Sequence, residues 1–284
     1  MIVTEYAVGQ LLDGAARTLT TDTARLDAEV LLASVLDVTR TALHIHPERP
    51  VPPTHADRFR ELLRRRIQGE PVAYLVGQRE FMSLDFEVTR DTLIPRADTE
   101  ILVEYALERL RLWPGPLKAA DVGTGSGVIA IALADAHPRL AIWATDISPA
   151  ALEVARRNAL RHQAGVTFLH TSLLEDVPGD LDMVVSNPPY VSEAEFPQLG
   201  VGVRRYEPKS ALVAGASGLE LYPPLARQAW ERLRPGGVLA VEVAPWQRDA
   251  VLACFAAQGF HGGRCLQDLA GLARVITADR PGGS

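Results

Sequence analysis

The residues of this chain with the most chemical content are four in a row, Asn187-Pro188-Pro189-Tyr190. An amide or aromatic amino nitrogen is a poor nucleophile, because its lone pair is delocalised into the adjoining π system. An asparagine side-chain oxygen and a backbone carbonyl can each accept one N–H of such an NH2 group. Pro188 brings a carbonyl with no N–H of its own. A nitrogen held at both hydrogens gains electron density, and its attack can be aimed. Tyr190 adds an aromatic face against which a planar group packs. Asn187, Pro188 and Tyr190 are therefore candidate catalytic residues, and together with Pro189 they are candidate contacts for a planar substrate. In isolation the same four residues read as a proline turn capped by asparagine. Here they directly follow the apolar run Met183-Val184-Val185-Ser186 and come after a glycine loop.

That loop, Asp121-Val122-Gly123-Thr124-Gly125-Ser126-Gly127, follows one predicted strand and opens a helix. Glycines there let the backbone approach a ligand closely. The dinucleotide fingerprint reads GxGxxG; here the third glycine comes one position early, and Val128 holds the sixth place. The spacing suits a ligand that needs no pyrophosphate cradle. Asp146 lies nineteen positions after Gly127, at the end of the next predicted strand, where a carboxylate can accept hydrogen bonds from both ribose hydroxyls. Its competing role is that of a helix cap, for which Ser148-Pro149 is the better candidate. Gly123, Thr124, Gly125, Ser126, Gly127, Asp146 and Asn187 are thus candidate contacts for an adenosine-containing cofactor. Attack by a held nitrogen on the methyl carbon of a sulfonium needs in-line positioning and stabilisation of a developing ammonium. It requires neither a metal nor a covalent nucleophile.

The elements that must hold these residues follow from periodicity. Residues 4 to about 70 carry apolar residues at helical spacing, broken by Pro47, Pro50, Pro52 and Pro53. Thr21 to Thr23 offer N-cap chemistry, a helix runs from about Thr54 to Gln68, and Gly69 is placed to cap it. Residues 72–96 change period and suggest a β-hairpin linker ending at Ile94-Pro95-Arg96. A helix from about Asp98 to Leu112 follows. Strands over Lys118–Val122, Leu140–Thr145, Val166–His170, Leu181–Ser186 and Val238–Val243 then alternate with helices over Gly127–Ala136, Pro149–His162 and Tyr222–Arg234. Pro235-Gly236-Gly237 should close the last helix, and Gly259–Cys265 with Ala273–Ala278 could add a terminal hairpin. The fold class expected is α/β: a Rossmann-like, doubly wound, mostly parallel seven-stranded sheet, preceded by a small helical domain and a β-hairpin linker. The domain boundaries read as 1–72, 73–97 and 98–284.

Composition narrows the function classes. A chain of 284 residues with 47% hydrophobic and 23% charged residues can bury a sizeable core. The net charge of −6 argues against a direct nucleic-acid substrate, whose binding draws on phosphate neutralisation. Arg64-Arg65-Arg66 is the one basic run, and Glu61 and Glu70 flank it, as on a solvated helix face. The two cysteines, Cys254 and Cys265, form no disulfide framework or zinc pattern. With no signal-peptide stretch and no long apolar run, a cytoplasmic location is expected, with no membrane association. His44, His46 and His170 have no partners that the sequence identifies, and read as structural or exposed.

The order Asp-Val-Gly-Thr-Gly-Ser-Gly, then Thr145-Asp146-Ile147-Ser148, then Asn187-Pro188-Pro189-Tyr190 resembles the N-methylating class I S-adenosylmethionine methyltransferases. The longer match resembles the release-factor glutamine methyltransferases (the PrmC/HemK family) and covers nearly the whole chain. It includes Leu26-Asp27-Ala28-Glu29, Gly69-Glu70-Pro71-Val72-Ala73-Tyr74-Leu75, Leu93-Ile94-Pro95-Arg96, Thr99-Glu100, Glu207-Pro208, Gly218-Leu219-Glu220-Leu221-Tyr222 and Arg234-Pro235-Gly236-Gly237. The resemblance implies transfer of the S-adenosylmethionine methyl group, leaving S-adenosylhomocysteine, to the glutamine amide of the Gly-Gly-Gln loop of class 1 peptide-release factors. It implies no metal, and a helical domain that grips the release factor; a monomer is expected. Gly123 to Gly127 and Asp146 would hold the cofactor, and Asn187, Pro188 and Tyr190 the glutamine. Leu173 stands where the family often has an aromatic residue against the adenine, and becomes a candidate cofactor contact. Further departures are Glu242-Val243-Ala244 for the usual Glu-Ile-Gly, Leu272-Ala273 for a charged pair, and Ser83 near a usual glycine. The alternatives are a glutamine methyltransferase of a ribosomal protein, a nucleic-acid amino-group methyltransferase, which needs a basic face, and a non-catalytic S-adenosylmethionine-binding module.

Overall fold

The computed structural model describes residues 6–282, in two compact units. Residues 4 and 5, where the first helix was expected to begin, lie outside the described residues, as do Gly283 and Ser284.

The first unit takes the chain up to Gln78 and also Gly200–Tyr206. Strand β1 (Tyr6–Ala7) leads into helices α1 (Val8–Thr18), α2 (Ala24–Leu36) and α3 (Arg40–Ile45); strand β2 (Pro50–Val51) precedes helices α4 (Pro53–Ile67) and α5 (Val72–Val76). The proline stretch does more than interrupt helices, because Pro50 and Val51 pair antiparallel with β1. Leu12, Leu31, Leu32 and Phe59 are fully buried at the centre. Thr23 precedes α2 without capping it. Instead, the Thr21 and Thr23 hydroxyls both donate to the Asp27 carboxylate. Gln68 ends α4, and Gly69 follows it with φ +92°. The three consecutive arginines are engaged by acids: Arg64 with Glu61, Arg65 with Glu70 and Arg66 with Asp27. Helix α5 corrects the expectation of a hairpin linker from residue 73. Pro71 starts it, Gly77 ends it with φ +77°, and the side chains of Val72, Leu75 and Val76 pack on the helical core. A run without alternation, bounded in this way, gains more as one helical turn than as a strand. In the Gly200–Tyr206 piece, Tyr206 Oη donates to the Gln68 carbonyl, and a Cβ on Gly202 would sit 3.1 Å from the Gly69 carbonyl oxygen.

The second unit opens at Arg79, inside the hairpin of β3 (Gln78–Phe81) and β4 (Leu84–Glu87). Its two turn residues, Met82 and Ser83, both have positive φ, +51° and +62°, so the missing glycine is replaced by a strained residue. Glu100 accepts from the Met82 amide and steadies the turn. Helix α6 (Asp98–Leu112) then leads into β5 (Leu117–Val122), α7 (Val128–Ala136), β6 (Leu140–Asp146), α8 (Pro149–Arg161), β7 (Val166–His170) and β8 (Leu181–Ser186). After β8 come β9 (Val191–Ser192), α9 (Val201–Tyr206, in the first unit) and β10 (Val213–Gly215). The chain finishes with α10 (Tyr222–Arg232), β11 (Leu233–Glu242), α11 (Arg248–Gln258), β12 (His261–Gln267) and β13 (Ala273–Asp279).

The main sheet has seven strands in the order β12-β13-β11-β8-β5-β6-β7, with β13 antiparallel to both of its neighbours, β11 and β12, and every other neighbouring pair parallel. Strand order reverses between β5 and β8, where doubly wound sheets open a crevice at the carboxyl ends of their strands. Strands β5 and β8 are almost wholly buried, as a sheet covered by helices on both faces requires. One boundary differs from expectation. Helix α10 stops at Arg232, and β11 takes in Pro235-Gly236-Gly237, which was expected to close the helix. The reason is tertiary: Gly236 donates to the Arg280 carbonyl and Arg280 donates to the Gly237 carbonyl, so the glycines extend the sheet across a register shift.

Candidate active site

Val122 and Ser186 are register partners in β5 and β8, and the Ser186 hydroxyl donates to the Val122 carbonyl at 2.7 Å. The residues one step beyond them are Gly123 and Asn187. The fold thus brings together the two motifs that the sequence separates by more than sixty residues.

The glycine loop is held from beneath. Asp121, fully buried, accepts from Thr124 Oγ1 at 2.6 Å and from the Ala130 amide at 3.2 Å through one oxygen; among the described residues its other oxygen has no partner. Burial raises this carboxyl to about 7, against the pull of those two donors. Gly123 and Gly125 have φ of +72° and +57°, and a Cβ on either would project into open space. Gly127 differs: a Cβ there would lie 2.9 Å from Ile131 Cδ1, so this glycine serves close packing at the start of α7. Thr124 and Ser126 are buried. At the end of β6, Asp146 accepts from the Gly125 and Ser148 amides, one on each oxygen, and keeps further lone pairs. Ser148, not Asp146, caps α8, accepting from the Ala151 amide. Burial raises the Asp146 carboxyl as well. Ile147 beside it is 63% exposed, and its carbonyl meets the ring of His170. Leu173 has φ +51° and packs against the apolar cluster under β8 and β11.

Around Asn187 a buried polar chain converges. Its Nδ2 donates to Thr99 Oγ1 at 3.1 Å, and Thr99 Oγ1 donates to Glu242 Oε2 at 2.6 Å. Tyr190 Oη lies 3.5 Å from Glu242 Oε1, at the edge of hydrogen-bond reach. Burial raises Glu242 to about 7, and Asp98 adds to the rise while Thr99 and Arg274 oppose it. Burial, then the Glu242 charge, push the Tyr190 phenol well above its usual range. Among the described residues nothing donates to Asn187 Oδ1 or to the Pro188 carbonyl, so both acceptors face no protein donor. The backbone after Pro189 is clamped by Gln247, whose Nε2 donates to the carbonyls of Tyr190 and Gly218 and whose Oε1 accepts from Tyr222 Oη. Gly218 (φ +79°) runs so close that a Cβ would stand 2.4 Å from the Tyr190 carbonyl oxygen.

Sequence reasoning left four of these groups without a role. Thr99 and Glu242 appeared only within motifs, as did Asp121, and Gln247 was not singled out. Two motifs that seemed unrelated also meet: Glu207 accepts from the Ile94 amide at 3.1 Å and from Arg96 at 2.5 Å. Asn158 bonds both backbone groups of Glu87 and the Ser126 carbonyl, tying the hairpin to the glycine loop.

Residues 10–77 match the family described as PrmC N-terminal domain, and residues 99–200 that described as methyltransferase small domain. A release factor glutamine methyltransferase of Geobacter sulfurreducens is 42% identical over 257 residues, covering 90% of this chain and 89% of the relative. The corresponding protein of Moorella thermoacetica is 46% identical over 263 residues, covering 90% of this chain and 91% of the relative. The chain belongs to the release factor glutamine methyltransferase family. A solved methyltransferase of Pyrococcus furiosus, 19% identical, superposes with a TM-score of 0.52 over 71% of this chain and 91% of its own, a likeness of fold. In this methyltransferase no helix among the described residues is long and apolar enough to cross a membrane.

Proposed function

We propose that this methyltransferase transfers the methyl group of S-adenosylmethionine to the side-chain amide nitrogen of the glutamine in the Gly-Gly-Gln motif of class 1 peptide chain release factors. The observation that carries the reading is the register pair Val122–Ser186, which sets Asn187 immediately beside Gly123 at the switch point of the sheet, in a chain whose relatives bear that name.

The residues present fit the cofactor. Gly123 and Gly125 leave open space where side chains would stand, Asp146 has lone pairs for two ribose hydroxyls, and exposed Ile147 offers an apolar face beside it. Thr124, Ser126 and Gly127 shape the loop, and Leu173, half-buried against the apolar cluster that includes Val122, is a candidate contact for the adenine. When bound, S-adenosylmethionine supplies an electrophilic methyl group on a sulfonium that departs as neutral S-adenosylhomocysteine. Asn187 Oδ1 and the Pro188 carbonyl each accept one N–H of the glutamine amide, turning its nitrogen toward the methyl group and concentrating charge on it, and as the N–CH3 bond forms the nitrogen sheds one of its protons to water. Tyr190 and Pro189 pack against the amide plane. Positioning carries most of the rate, and the chemistry calls for no metal. The helical unit serves as the grip on the release factor. Such a substrate puts a monomeric enzyme in the cytoplasm, where translation takes place.

Methyl transfer from labelled S-adenosylmethionine to a purified class 1 release factor, beside a copy with the Gly-Gly-Gln glutamine changed to alanine, tests the proposal. Label on the first alone is expected. Label on both moves the target elsewhere on the release factor. Label on neither, with the cofactor still bound, points to a ribosomal protein or a nucleic-acid base.

A further inference from the structure

The amide of Asn187 is useful only one way round. Its oxygen must face the incoming NH2 group; a flipped side chain would present two N–H donors to two more. Nothing within Asn187 itself fixes that choice, since the two ends of an amide are nearly the same shape. The answer lies in the two residues behind it. Glu242 and Thr99 are both buried. Thr99 has one hydroxyl proton, and the 2.6 Å contact directs it to Glu242 Oε2. With its proton committed, Thr99 Oγ1 can only accept, and the group that it accepts from at 3.1 Å is Asn187 Nδ2.

We infer that Glu242 and Thr99 are positioning residues that set the direction of a hydrogen-bond chain and thereby hold Asn187 with Oδ1 toward the methyl acceptor; the inference rests on the function proposed above for Asn187. The chain is polar in one sense only: a carboxylate at its far end demands a donor from Thr99, which demands a donor from Asn187. The groups facing the Glu242 carboxyl are Thr99, Tyr190, Asp98 and Arg274, and Arg274 is shared with Asp98 and Asp268. No guanidinium bonds Glu242 directly among the described residues. Loss of its charge, by protonation or by substitution, therefore allows the chain to reverse. A neutral Glu242 donates to Thr99, Thr99 is free to donate onward, and the Asn187 oxygen is drawn away from substrate. This account separates the two ends of the site. The cofactor rests on Asp146 and the glycine loop, which share no hydrogen bond with Thr99 or Glu242.

The test uses Thr99→Val, which keeps the shape and removes the hydroxyl, Thr99→Ser, which restores it, and Glu242→Gln, all in the full chain with a release factor as methyl acceptor. Expected are a kcat lower by roughly 10- to 100-fold in Thr99→Val and Glu242→Gln, as for misplacement of a reacting group. Cofactor affinity should stay within a few-fold, and Thr99→Ser should lie close to wild type. The acid limb of the wild-type pH–rate profile should vanish in Glu242→Gln. Unchanged kcat in folded Thr99→Val overturns the inference, and so does a kcat that Thr99→Ser fails to rescue. A second measurement needs no substrate. The Asn187 side-chain NH2 signals in an NMR spectrum, identified by their loss in Asn187→Ala, should shift in Thr99→Val and again in Glu242→Gln. Signals that do not move overturn the chain whatever the methyl acceptor is, whereas shifted signals in an enzyme that labels no release factor leave the chain standing and overturn only the substrate.

Discussion

Carboxylates are buried in both units, but the catalytic unit, which pairs Asp182 and Glu207 with arginines, leaves the acids around its two motifs without one. In the helical unit Asp27 meets Arg66, Glu29 meets Arg25 and Arg40, and Glu70 meets Arg65, all within 2.9 Å. His44 adds a further contact to Glu29, giving that histidine the partner its sequence context did not reveal. Burial works against ionised Glu29, and the Arg40 and Arg25 hydrogen bonds more than offset it, so its carboxyl is held below the usual range. Around the two motifs Asp121 and Glu242 are buried and Asp146 is half-buried, and among the described residues all three accept from hydroxyls and amides alone. All three are pushed upward, Asp121 and Glu242 to about 7. A buried ion with a guanidinium beside it is structure. A buried ion without one costs stability, and such groups gather where chemistry needs them.

The strongest blow to this contrast would come from the site side. Asn187→Ala should lower methyl transfer by roughly 10²- to 10³-fold, as loss of a preorganised polar contact does, with cofactor binding within a few-fold by calorimetry. Loss of both together would make Asn187 a structural residue and the contrast less sharp.

Next in size, Asp27→Ala leaves Arg66 buried without its acid, and should destabilise the helical unit by about 3 kcal/mol. All four tryptophans, Trp113, Trp143, Trp230 and Trp246, belong to the catalytic unit. Helical circular dichroism should therefore melt early while tryptophan emission holds its midpoint. A joint shift would show the units unfolding as one.

Asp146→Ala should weaken cofactor binding by roughly 10- to 100-fold, the loss of two charge-assisted hydrogen bonds. Unchanged affinity in calorimetry would remove the ribose role. It would also leave Asp146 as a half-buried acid that only braces Gly125 and Ser148.

The smallest effect is one of pH. Glu242 and Asp121 keep their protons in the folded chain up to about 7 but lose them in the unfolded chain at ordinary carboxylate values. Their contribution to stability is thus present at low pH and is lost as pH rises through about 7. Glu29, held low, contributes in the opposite sense and loses its share as pH falls. The tryptophan-reported unfolding free energy should therefore fall less between about pH 5 and about pH 8 in Glu242→Gln than in wild type, by on the order of 1 kcal/mol. Equal slopes would mean that Glu242 ionises as an ordinary surface acid does.

What the sequence made legible was what local pattern encodes. Helix α6 runs over the predicted Asp98–Leu112 because acids in its first turn, Asp98 and Glu100, and apolar spacing agree there. The strand ends at Val122 and Ser186 fall where the apolar runs stop at Gly123 and Asn187, and β6 runs one residue past the expected Thr145 to Asp146. The misses share a physical cause. Glu242 meets Thr99 across 143 residues, and Glu207 meets Arg96 across 111, so neither pairing leaves any trace in spacing. Helix α5 looked like a strand because five apolar residues are too few to show a period, and its flanking proline and glycine decided the outcome. The start of β11 was hidden because Gly236 and Gly237 find their partner in Arg280, at the far end of the chain.

The seven residues Gly200–Tyr206 have a practical consequence. They belong to the helical unit, although the chain on either side of them belongs to the catalytic unit. A gene cut after Gln78 would therefore yield two unequal products. The amino-terminal fragment would lack the stretch whose tyrosine covers the end of α4 and whose glycine lies against Gly69. The carboxyl-terminal fragment would carry that same stretch with nothing to rest on. Anyone dissecting this protein to map its recognition surface would do better to graft residues 200–206 onto the first fragment through a short linker and to bridge the gap left in the second.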